Sequence, residues 1–123
     1  MDIKSLTRST AKTDKIWGAE HLIVNDEYCG KLLEIKKGWR TSIHSHYEKK
    51  ETFFVLEGCV GILDGKGKSE IMFAGDILTI DRRRLHAICG IHDSVVLEIS
   101  THHNDQDSHR QDKSCKIKKE DIC

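Results

Sequence analysis

Two histidines one residue apart, His44 and His46, are followed after a four-residue segment by Glu51, and a third histidine, His86, stands in the otherwise apolar run "LHAIC". In an extended chain, side chains two residues apart share a face, so His44 and His46 can converge on one ion. Glu51 opens the apolar run "TFFVL", and a tight turn before it would aim its carboxylate at the same point. His86, flanked by Leu85 and Ile88, reads as a polar side chain pointing inward from a core strand, and would be the fourth ligand. Burying a lone carboxylate costs several kcal/mol, and even a neutral imidazole needs partners. A divalent cation removes that cost. Three imidazoles and one carboxylate suit one divalent transition metal, whether zinc, manganese, iron, cobalt or nickel, with about two positions left open in octahedral geometry. Open positions take water or substrate, which points to catalysis rather than to a structural ion.

The elements that would carry these residues read as strands. From about residue 22 to 100, short apolar runs ("HLIV", "KLLEI", "TFFVL", "CVGIL", "DILTI", "LHAIC", "VVLEIS") alternate with turn signals, and helical periodicity is absent. Asp64-Gly65 reads as a hairpin turn, because glycine takes positive φ without steric cost. This is the spacing of a small all-β sandwich or barrel. At 123 residues the chain is one domain. It divides into a flexible N-terminal arm over 1–15, a barrel over 16–101 beginning at Ile16-Trp17-Gly18, and a polar C-terminal tail over 102–123. The first half of that tail would lie across the barrel mouth and its end would be mobile.

Composition narrows the partners. Lys+Arg and Asp+Glu balance at 20 each, so no basic field is available for nucleic acid or an anionic membrane, and no apolar stretch reaches the length of a bilayer span. The polar start lacks the apolar core of a signal peptide. The five cysteines form no C-x-x-C pair, and three lie in apolar segments, which fits reduced thiols in a cytoplasmic protein. The strand "TFFVLEG" is apolar on both sides, Phe53 and Val55 on one and Phe54 and Leu56 on the other, so both faces require cover and a homodimer is expected.

The block from Gly38 through His44, His46 and Glu51 to Gly58 resembles the first motif of the cupin superfamily, G-x5-H-x-H-x3/4-E-x6-G, in full. The second motif, G-x5-P-x-G-x2-H-x3-N, is matched at Gly75 and His86, with Asp81 in place of proline and Gly90 in place of asparagine. The resemblance covers about residues 28 to 100. It implies a double-stranded β-helix, jelly-roll-like barrel, with His44, His46, Glu51 and His86 as metal ligands and pairing into homodimers.

Within the superfamily, the flanking residues Trp17, Gly18, Lys31, Asp105, Asp107 and Arg110 are similar to the mannose-6-phosphate isomerase-like type. That implies a metal-dependent aldose–ketose isomerase acting on a sugar or sugar phosphate. Lys31 shares its face with Leu33 and Ile35, so it would meet a substrate oxyanion or phosphate inside the barrel, and Arg110 would pair with a phosphate or hold the tail down against an acidic residue. An iron dioxygenase and a non-catalytic sugar-binding or regulatory cupin are the alternatives. Glu98, alternating with Leu97 and Ile99, is read as a surface residue. Arg82, Arg83 and Arg84 are read as a charged turn, and His102 and His103 as solvated histidines.

Overall fold

The apolar runs form strands whose alternation divides each into an inward and an outward row. The computed structural model describes residues 11–121. These form β1 (Lys12–Lys15), β2 (Gly18–Asn25), β3 (Tyr28–Ile35), β4 (Trp39–Arg40), β5 (His44–His46), β6 (Glu51–Glu57), β7 (Cys59–Leu63), β8 (Ser69–Phe73), β9 (Ile77–Ile80), β10 (Ala87–Gly90), β11 (Ser94–Thr101), β12 (Ser108–Arg110) and β13 (Cys115–Lys116). Two short 3-10 turns, Asp105–Asp107 and Lys119–Asp121, complete the described elements, among which there is no α-helix.

A six-stranded sheet in the order β1-β2-β3-β11-β6-β9 and a five-stranded sheet in the order β13-β4-β10-β7-β8 share one core, with β12 and β5 forming a small pair beside them. The pairings are antiparallel, as the all-β reading predicts. Leu33, Ile35, Phe53, Val55 and Val96 from the first sheet meet Val60, Ile62, Met72 and Ile88 from the second. The turn after β7 is held by Asp64, whose Oδ1 accepts the amides of Lys66 and Lys68.

Two of the glycines required by close approach stand at the ends of the two motifs. Gly58, which ends the first motif, has φ 87°, and a Cβ there would lie 2.4 Å from Ser94 Oγ. Gly90, where the second motif has asparagine, would place a Cβ 2.3 Å from the Lys36 carbonyl oxygen. Among the described residues one non-glycine has positive φ, Arg83 at 68°. It falls where the second motif has its glycine, and its amide donates to the His46 carbonyl at 2.6 Å.

Three expectations are revised. Glu98 is buried, not on the surface: along β11 the inward row is Val96, Glu98 and Ser100, and the apolar Ile99 faces out. The alternation holds, but its polarity is inverted, because the outward row of β11, Val95, Leu97 and Ile99, is apolar as well. The C-terminal segment is laid down as structure as far as Asp121: β12 pairs with β5 and β13 with β4. Its polar side chains need no core to pack into, since Asp112 and Asp121 each lie 2.8 Å from the guanidinium of Arg40, which is 1% exposed. Of the N-terminal arm, residues 1–10 lie outside the described residues, and Lys12–Lys15 pairs with β2.

Candidate metal centre

The four motif residues meet at one end of the barrel interior. β5 presents His44 and His46, β6 begins with Glu51, and the segment entering β10 brings His86 beside His44 through a pair of backbone hydrogen bonds. One ligand atom from each of the four lies within 4.8 Å of the others. The outer nitrogen of every ring is already committed: Nδ1–H donates to the carbonyl of Ser42 from His44 at 2.7 Å, of Asp107 from His46 at 3.1 Å, and of Arg84 from His86 at 3.0 Å. A carbonyl only accepts, so each neutral ring carries its proton on Nδ1 and leaves a bare Nε2. Glu51 Oε1 is 2.6 Å from His86 Nε2 and 3.7 Å from His46 Nε2. The 2.6 Å approach is close but lacks hydrogen-bond angles, and Glu51 Oε1 and His86 Nε2 are both buried without a hydrogen-bond partner.

Buried, unpartnered donors converging on one point are what a cation would satisfy. Burial, with the charge of His86 second, pushes the His44 imidazole down to about 3, and burial pushes His46 down to about 4, so both are neutral as ligands at neutral pH; burial also opposes a charge on His86, but Glu51 outweighs it and raises that imidazole, whose extra proton a bound cation would displace. Burial opposes ionisation of Glu51, but His86 and Lys49 outweigh it and hold the carboxyl well below its ordinary value. The residues present therefore fit a divalent ion.

Beside this set stands Lys49, 3% exposed. Its ammonium lies 3.3 Å from Glu51 Oε2, 3.3 Å from Glu98 Oε2 and 3.0 Å from His103 Nδ1. Three donors thus meet three acceptors, and Glu51 is pinned with its other oxygen toward the histidines. Burial, then repulsion from Glu51, pushes the Glu98 carboxyl up to about 7 against the pull of Lys49 and Lys31. His103 accepts from Lys49, so its Nε2–H donates to Asp105 at 2.8 Å.

The pocket over the cluster, with about 160 Å³ of free space, is lined by Trp17, Lys31, Phe53, Glu98, His103 and Arg110 together with His44, His46 and His86. Lys31 is inside the barrel on the face of Leu33 and Ile35, paired with Glu20 at 3.2 Å. Arg110 is exposed at the rim, opposite His44 in the β12–β5 register. Arg82 and Arg83 turn away from the pocket, Arg82 onto the Glu48 carbonyl and Arg83 over the ring of Tyr47. Sequence reasoning missed Lys49, Glu98 and His103. A signal for Glu98 was available in the strand period, since it shares its row with Val96; Lys49 precedes the strand and left none.

Residues 31–103 match the cupin domain family. The chain belongs to the cupin family. No curated protein matches this cupin. Among solved structures it is similar to ectoine synthase from P. lautus, at 12% identity and a TM-score of 0.70 over 97% of this chain and 92% of that one. It is similar to KdgF from Halomonas sp. at 15% identity and a TM-score of 0.64, over 72% and 81%. An oxalate decarboxylase from Bacillus subtilis aligns at 17% identity and a TM-score of 0.64, over 85% of this chain and 33% of that one. At these identities the likeness establishes the barrel of this cupin, not its reaction.

Proposed function

We propose that this cupin is a divalent-metal-dependent aldose–ketose isomerase acting on a sugar or sugar phosphate. The observation that carries the reading is Glu98, a buried carboxyl that lines the same pocket as the ligand set, lies 3.3 Å from the Lys49 ammonium and is pushed up to about 7 by burial and by Glu51. Moving a proton between C2 and C1 needs one group that takes it and returns it near neutral pH. Glu98 has that balance, because burial favours its neutral form while Lys49 stabilises its carboxylate. A bound divalent ion supplies Lewis-acid polarisation of the substrate carbonyl. Lys31, steadied by Glu20, offers a fixed positive charge to the oxygen on which negative charge develops. Arg110, which makes no ion pair among the described residues, suits the charged end of a phosphorylated sugar.

The test is proton exchange at C2 of aldoses and aldose phosphates, followed by NMR in D₂O on metal-loaded protein. Wild type is expected to incorporate deuterium. Glu98→Gln should keep the metal and lose the exchange. No exchange with any sugar, together with O₂ consumption by the ferrous protein, would replace the isomerase with a dioxygenase. Sugar binding without turnover would make the protein a binding module.

The pairing of two chains belongs to the same reading. On the outer face of the six-stranded sheet, Phe54 is in register with Leu97 on one side and Ile77 on the other, and Leu97 with Leu32. Ile77 and Ile99 are 67% and 53% exposed. A sheet face apolar at its centre is suited to a second copy of itself, which presents the same uncharged rows.

A further inference from the structure

The family match ends at residue 103, yet the residues that hold the ligand strand lie beyond it. β5 has three residues, too few to hold its own register, and the chain around it, from Ser42 to Lys49, exposes a run of backbone amides. The C-terminal segment receives them. Ser114 Oγ accepts the Ser42 amide at 3.0 Å, and Asp112 Oδ1 accepts that of Ile43 at 2.7 Å. Asp107 accepts the amides of Tyr47 at 2.9 Å, Glu48 at 3.1 Å and Lys49 at 3.0 Å through its two carboxylate oxygens. Its own carbonyl takes the Nδ1 proton of His46. On the far side His109 stacks on Tyr47 with centroids 3.9 Å apart.

We infer that the segment from Asp107 to Ser114 is a clamp on the metal centre, with Asp107 the positioning residue that sets His46 and the Tyr47–Lys49 turn before Glu51. The Asp107 carboxylate spans three successive amides, so it dictates the path of the turn that separates His46 from Glu51, and the Asp107 backbone carbonyl dictates the orientation of the His46 ring. Neither contact touches the ion. Outer contacts of this kind act by preorganisation: without them the ligands must be ordered at the moment of binding, and affinity falls. The coupling is reciprocal, so an ion that prefers the ordered turn must tighten the docking of the segment by the same factor.

The inference rests on the metal reading, and the experiment separates the two. Cobalt(II) is titrated against a competing chelator, with its visible absorption recorded, into wild type, Asp107→Ala, Asp107→Asn and Ile35→Ala, the last a core variant remote from the segment. Asp107→Ala is expected to bind cobalt about 10- to 100-fold more weakly, with an altered absorption band, and Asp107→Asn to fall between it and wild type. Ile35→Ala should unfold at lower urea yet bind cobalt as wild type does. In hydrogen exchange on wild type, cobalt should slow the amides of Tyr47, Glu48 and Lys49. Wild type that binds no cobalt overturns the metal reading beneath the clamp. Asp107→Ala within twofold of wild type, or Ile35→Ala weakened as much as Asp107→Ala, overturns the clamp alone. If Asp107→Ala does not fold, Asp107→Asn at wild-type affinity, or exchange unchanged by cobalt, overturns it equally.

Discussion

The two ends of the barrel interior are built from the same strands and have opposite character. Along β3 the inward positions run Lys31, Leu33, Ile35; along β6 they run Glu51, Phe53, Val55; along β11, Glu98 gives way to Val96, and beyond His86 comes Ile88. All are buried. At one end burial stabilises the fold outright, by roughly 1.5–3 kcal/mol for each large apolar side chain. At the other, burial of charge is unfavourable, and the pairing of Lys49 with Glu51 and Glu98 and of Lys31 with Glu20 offsets it, beside a four-residue set arranged so that a cation could complete the balance. The apolar end therefore holds the charged end in place, and substitutions at the apolar end should lower stability alone, whereas those at the charged end should reach the chemistry as well.

The largest effect should come from breaking the charged end at its hub. Lys49→Ala leaves two buried carboxylates without their shared cation and should cost about 3–5 kcal/mol of stability in urea unfolding. Ile35→Ala at the apolar end should cost about 2–5 kcal/mol, but with metal binding retained. A Lys49→Ala protein as stable as wild type would mean that the ammonium is not what balances those carboxylates.

Next in size is turnover. Lys31→Ala should lower kcat by about 30- to 1,000-fold, the loss of one charge-assisted contact of about 2–4 kcal/mol, with the fold intact. Arg110→Ala, at the exposed rim, should raise KM for a phosphorylated substrate more than it lowers kcat. Steady-state kinetics of the two variants side by side would blur the contrast if both parameters moved together.

Acid should act on the clamped segment. Burial opposes ionisation of Asp112, but the Arg40 guanidinium and the Ile43 amide prevail and hold its carboxyl below the usual range. A carboxyl depressed in the folded state contributes stability that is present above its unfolded pKa of about 3.9 and is lost as pH falls through the folded value. Urea midpoints should therefore drop on acidification below about pH 4, and Asp112→Asn should be less stable at neutral pH with a shallower acid limb. A variant whose acid limb matched wild type would remove Asp112 from the account. The smallest effect concerns the outer face: Ile77→Lys should shift sedimentation from dimer to monomer at micromolar concentration while leaving the monomer folded.

Much of this was legible in the sequence, for physical reasons. Strands with a two-residue period announce themselves; alternation, turn position and the spacing of the cupin motif singled out His44, His46, Glu51 and His86, which the fold brings within 4.8 Å of one another. Glu98 was assigned to the wrong side because alternation tells which residues share a face, not which face is wet, and here the outward row is apolar. Lys49 was hidden in "YEKKE", where a buried ammonium cannot be told from a solvated one until its three acceptors are assembled from β6, β11 and the segment after it. The C-terminal clamp was hidden for a related reason: ion pairs and backbone acceptors such as Asp107 and Asp112 leave no hydrophobic pattern.

The proposed metal centre is one ion held by four side chains. The most direct measurement is an anomalous difference map from crystals grown with manganese, cobalt or zinc and collected on both sides of that metal's absorption edge. It should show one strong peak per chain, within coordinating distance of His44, His46, Glu51 and His86. A barrel with no peak among these four, or with its only peak at His102 and His103, would contradict it.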